Sequence, residues 1–146
     1  MKKQWTTLFL IILQFIGSIV NGINSIDKGY GHSYPIWTYV LIGLWLLIAI
    51  AASVFTFAFK KSPFITALQK YWGISSAILA LMLICINILD TYQLGWVILL
   101  GLFVTPYGIL FPLLEMFFID TTLAIAIILV FCLLNWALCK CFKKQC

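Results

Sequence analysis

Five stretches without a charged residue dominate the pattern of apolar and polar positions. They are Trp5 to Asn24, Ile36 to Phe59, Tyr71 to Leu89, Leu94 to Leu114 and Thr121 to Cys139, of 20, 24, 19, 21 and 19 residues. A hydrocarbon layer of ~30 Å takes ~20 helical residues at ~1.5 Å each, so every stretch is long enough to cross. No strand-like alternation is sustained, and backbone groups in lipid must pair within their own segment, which predicts helices. The intervening pieces Ser25–Pro35, Lys60–Lys70, Asp90–Gln93, Glu115–Asp120 and the tail Lys140–Cys146 are too short for a second domain. The expectation is one compact all-α membrane bundle over residues 1–146, without internal repeat or linker.

Composition sharpens this picture. Of 146 residues 64% are hydrophobic, nine are basic and four acidic, and the mean hydropathy is +1.14. Soluble domains run near ~45–50% apolar and ~25% charged, and a small globule leaves too much surface in water to hide this much apolar area. Secreted disulfide scaffold, nucleic-acid binder and disordered tail are excluded together; the first partner is the lipid bilayer. Met1-Lys2-Lys3 before an apolar run also fits a signal peptide. Gln14 interrupts that run, however, and Ser18-Ile19-Val20-Asn21 is a poor cleavage site, so the first segment is expected to stay.

Charge placement decides the threading. All nine basic residues are Lys, and basic residues in short loops stay cytoplasmic. Lys2, Lys3, Lys60, Lys61 and Lys70 put the N-terminus inside, while Lys28 falls outside with Asp27 and His32. Five full crossings would strand Lys140, Lys143 and Lys144 outside, a Lys split of 5 to 4. If Leu94–Leu114 instead enters and turns back, the split is 8 to 1 and Asp27, Asp90, Glu115 and Asp120 all lie on the outer side. That stretch carries its own breaking point, Thr105-Pro106-Tyr107-Gly108, with Pro112 beyond it. Proline removes a backbone donor, and glycine allows a reversal. Four spanning helices plus a re-entrant or Pro-broken fourth segment are therefore expected in a bacterial plasma membrane, both termini cytoplasmic; five full spans are the alternative.

Helices in lipid associate through small and polar residues, and such stripes recur at spacings of three and four. They are Gln14-Ser18-Asn21-Ser25, Ala49-Ala52-Ser53-Thr56, Gly73-Ser76-Ala77-Ala80 with Asn87, and Thr121-Ala124-Ile128-Cys132-Asn135-Cys139. The amides Gln14, Asn21, Asn87 and Asn135 need hydrogen-bond partners away from water. Bonds between helices satisfy that need, and so does a polar cavity. Asp90 with Gln93 reads as a capping box, Asp120 before Thr121 as an N-cap, and Ser62-Pro63 as a helix start. Glu115, between Leu114 and Met116, has no capping role; an ionisable group there is a functional candidate or reaches the headgroups. Trp5, Trp37, Tyr39, Tyr71, Trp72, Tyr92, Trp96 and Trp136 lie near span ends and read as interfacial belts.

The remaining chemistry is sparse. Cys85 and Cys132 lie in spans as small hydrophobes. Cys139, Cys141 and Cys146 have no histidine beside them and match no common zinc spacing. No phosphate loop, His pair, G-x-S-x-G or C-x-x-C occurs, so no cofactor and no enzymatic centre is expected. Thr105 to Pro112 resembles, over eight residues, the T-V-G-Y-G filter region of potassium channels. It lacks the first filter glycine and puts Pro where coordinating backbone would run, so the likeness is set aside as coincidence. Two functional readings stay open. The first is a non-enzymatic multipass protein that packs against a membrane partner, or binds a hydrophobic or cationic molecule at the outer face. The second is a small transporter or channel, acting as a homo-oligomer, that uses the broken fourth segment.

Overall fold

A computed structural model describes residues 5–28, 34–58, 63–87, 101, 103–117 and 119–144. Its elements are α1 (Trp5–Lys28), α2 (Ile36–Ala58), α3 (Pro63–Asn87), α4 (Tyr107–Met116) and α5 (Thr121–Lys144). The described chain is an all-α membrane bundle, with four helices long and apolar enough to span. The remaining helix, α4, is not one of them: it has ten residues, about 15 Å of helix, half of what a crossing takes. The expected break is present: helical residues end at Val104, Thr105 and Pro106 turn, and α4 begins at Tyr107.

Helix bounds differ from the charge-free stretches in an instructive way. α3 starts at Pro63, where the Ser62-Pro63 signal puts a helix start, so Phe64 to Lys70, ahead of the charge-free stretch from Tyr71, are already helical. α1 runs on to Lys28 and α5 to Lys144. Lysine side chains at helix ends reach the headgroups without ending the backbone hydrogen bonding, so a charge marks the edge of the hydrocarbon and not the end of a helix. Asp90, Gln93, His32, Ser62, Tyr92 and Trp96 lie outside the described residues, and with them the predicted capping box.

The earlier start of α3 also corrects the aromatic belt. Trp5 and Trp37 are exposed as a belt requires, but Trp72 is fully buried and Tyr71 nearly so. They sit two turns inside α3 rather than at its mouth. Trp72 packs edge-on against Trp45 of α2, with ring centroids 6.2 Å apart, and against Phe131 of α5 at 5.6 Å. This aromatic block joins α2, α3 and α5, and α3 with α5 is the most extensive helix pair described.

The small-residue stripes hold on α1, α2 and α5 as far as their side chains are described: Gln14, Ser18, Asn21, Ala49, Ala52, Ala124, Ile128, Cys132, Asn135 and Cys139 are buried, Ser53 is half-buried and Thr121 exposed, while the side chains of Ser25 and Thr56 lie outside the described set. On α3 the expectation holds only in part: Ser76 is buried and Gly73 and Ala80 half-buried, but Ala77 and Asn87 face outward, and the buried register is Leu68, Trp72, Ser75, Ser76, Leu79, Met82 and Cys85. Large rings hold α3 in place, and close approach matters at two points, Gly101 against the buried Met82 side chain and Gly73. A Cβ on Gly73 would lie 3.2 Å from the Trp136 ring.

Candidate functional site

Much of the polar chemistry among the described residues gathers at α4, and the prolines at its N-cap, Pro106, and inside it, Pro112, explain why. Pro112 has no N–H, so the Gly108 carbonyl four residues earlier lacks its helical donor. Asn21 supplies one: its Nδ2 donates to Gly108 O at 3.0 Å and to Ile109 O at 3.2 Å. One turn before, the Tyr107 N–H bonds the Thr105 hydroxyl at 3.3 Å, at the break where regular helix would continue. Gln14 Nε2 donates to Phe103 O at 3.3 Å, the carbonyl that Tyr107 would otherwise serve. The other end of the Gln14 amide accepts from the Tyr71 hydroxyl of α3. Both amides are 1% exposed. Seven residues, two turns of α1, separate the residues that patch these two carbonyls.

Close approach makes this possible. Gly17 lies between the two amides, and a Cβ on it would sit 2.6 Å from Cδ1 of the fully buried Ile109. Phe15 and Phe103 flank the contact with ring centroids 5.6 Å apart. Residues 103 to 109 thus ascend alongside 14 to 21, and α4 runs in the same sense as α1.

At the far end of α4 stands Glu115, half-buried. The hydroxyl of Tyr34, two residues before α2, donates to its Oε2 at 2.6 Å. Tyr107, Phe111 and Glu115 follow at i, i+4 and i+8, a stripe along one side of a helix. The Phe111 ring is 6.0 Å from Tyr107 and 6.0 Å, edge-on, from Tyr34. A carboxylate with three aromatic rings gathered along one stripe is the most distinctive polar arrangement among the described residues.

The other candidates stand apart. Asn135 pairs with Ser53 of α2 at 2.8 Å and returns a bond to Phe131 O, so it joins α2 to α5. Asn87 is exposed and bonds its own helix at Leu83 O. Asp120 is exposed; its carbonyl accepts from the Ala124 N–H at 2.8 Å, the N-cap position of α5. The four amides therefore do not meet in one cavity. Tyr34 is the participant that sequence reasoning missed, while it placed Thr105 in the break and Tyr71 in the interfacial belt without their hydrogen-bond partners. A readable signal existed for one partner: the i−4 rule for Pro112 points to the Gly108 carbonyl. The Tyr34–Glu115 contact spans 81 positions and leaves no local trace.

No known protein family matches the chain, and no curated protein or solved structure shows detectable similarity to it.

Proposed function

We propose that this chain is a small non-enzymatic multipass protein of the bacterial plasma membrane, with both termini cytoplasmic. On this reading it acts at the outer end of its bundle, against a membrane partner or on a hydrophobic or cationic molecule arriving there. The observation that carries it is the Tyr34–Glu115 pair, a carboxylate held half-buried at the end of α4. Two features support the threading. α4 runs in the same sense as α1 and delivers Glu115 to the level of Tyr34, where α2 begins. The turn between Met116 and Thr121 is then too short for anything but a reversal into α5, which returns Lys140 to the side of Lys2 and Lys3 and keeps eight of nine lysines inside.

The transporter reading requires the amides and Glu115 to share one cavity, and it draws less support from amides engaged at three separate helix contacts. The deciding experiment labels exposed Cys141 with a membrane-impermeant maleimide, in a Cys146→Ser background, in intact and in opened cells. Protection in intact cells is expected. Labelling there would place Glu115 on the cytoplasmic side and end the outer-rim reading.

A further inference from the structure

We infer that the Tyr34–Tyr107–Phe111–Glu115 stripe is a binding site for a lipophilic organic cation. This rests on the outer-rim reading and names the ligand class of that rim. Three properties of the stripe converge on this chemistry. First, Glu115 brings a negative charge to the boundary of the apolar phase, where a cation is poorly screened and an ion pair is stronger than in water. Second, a carboxylate offers about four lone-pair positions. Tyr34 takes one at 2.6 Å, and no basic side chain among the described residues pairs with Glu115. Third, Phe111 stands between two tyrosine rings, each 6.0 Å away by centroid, so aromatic surface lies along the same stripe as the carboxylate, and such rings attract a cation through their quadrupole.

Together these select against the alternatives. An inorganic ion would want several fixed oxygens at short range, and the stripe offers one carboxylate and rings. An anion meets a carboxylate. A neutral lipid tail gains nothing from Glu115. A cation with a delocalised or alkylated charge and apolar bulk uses both halves, the carboxylate for charge and the rings for surface. The short helix α4 is also fixed before any ligand arrives, by Gln14 and Asn21 on its freed carbonyls, so little ordering opposes binding.

The test is tetraphenylphosphonium binding to the full chain in phosphatidylcholine nanodiscs, which carry no net lipid charge to adsorb the probe. The wild type should bind saturably. Glu115→Gln keeps the size and a partner for Tyr34 but removes the charge, and should weaken binding at least about tenfold. Phe111→Leu keeps the charge and should weaken it about threefold or more. Asp120→Asn, an exposed carboxylate at the same end of the bundle, should stay within about twofold, as a screened surface charge does. Slow maleimide reaction of buried Cys132 in each variant confirms that it is folded. Absence of saturable binding in the wild type, or equal affinity in Glu115→Gln, overturns this inference. The outer-rim reading survives that result and stands or falls on the Cys141 labelling.

Discussion

Replacing Asn21 by leucine tests whether the α1 amides exist to serve the prolines of α4. Leucine has similar volume and no donor, so the Gly108 and Ile109 carbonyls lose bonds of 3.0 and 3.2 Å. Ile109 O keeps its own helical donor, but Gly108 O has none, because residue 112 is proline. A buried carbonyl left unpaired costs ~1–3 kcal/mol, while an average interhelical bond in a membrane contributes only ~0.6 kcal/mol. Part of the loss is returned, since Asn21 Oδ1 is buried without a partner and leaves with the side chain. The net expectation is a destabilisation of about 1–2 kcal/mol.

The decisive comparison is the same substitution in a Pro112→Ala background. Alanine restores the N–H that serves Gly108 O, so the cost of losing Asn21 should fall to about 0.6 kcal/mol, that of one spare bond. Unfolding in mixed micelles of mild detergent and dodecyl sulfate, followed by the fluorescence of the six tryptophans, measures all four corners of the cycle. Equal costs in the two backgrounds, within about 0.3 kcal/mol, would refute the argument and leave Asn21 as an ordinary packing residue.

Other substitutions probe the remaining contacts. Gly17→Ala drives a methyl to within 2.6 Å of Ile109, which is fully buried and has little room to yield. It should destabilise by about 1–3 kcal/mol, whereas Gly43→Ala, with nothing within 4 Å, should not; equal melting temperatures for the two would reject the close α1–α4 approach. A double-mutant cycle on Ser53→Ala and Asn135→Leu should show a coupling near 0.6 kcal/mol, and a coupling of zero would mean the 2.8 Å bond contributes nothing. In mild detergent Cys141 should react with maleimide at once, while Cys85, Cys132 and Cys139 wait for unfolding, about a hundredfold more slowly or beyond. Fast modification of Cys132 would contradict the α3–α5 packing.

Much of the architecture was legible because the bilayer imposes it. Length and the absence of charge located all four spanning helices, and Thr105-Pro106 located the break, since both depend on backbone chemistry that a sequence displays directly. Positions on faces were less legible. Tyr71 and Trp72 looked interfacial because Lys70 precedes them, yet the Ser62-Pro63 start, noticed separately, already implied two turns of helix before them. The stripe on α3 was legible only in part: Ser76 is buried, but Ala77 and Asn87 face outward, because α3 is held chiefly by Trp72 against Trp45 and Phe131. Within the candidate site, the amides and Glu115 stood out as polar groups in apolar surroundings. Their partners did not, because Phe103 and Gly108 contribute carbonyls, which every residue has, and Tyr34 reaches Glu115 across 81 positions.

The patching of α4 by α1 sets an order of events during synthesis. Gln14 and Asn21 are made 89 and 87 positions before the carbonyls they serve. At ~5–20 residues per second, ribosomes leave them waiting roughly 4 to 18 s. During that interval α1 is already in the membrane with two amides that lipid cannot satisfy. α4, too short to hold itself across a bilayer, has nowhere to settle until α1 receives it. The nascent chain therefore carries a timed vacancy that the insertion machinery must shield, and a stall between α3 and α4 leaves Asn21 and the Nε2 end of Gln14 without the later residues that cover them.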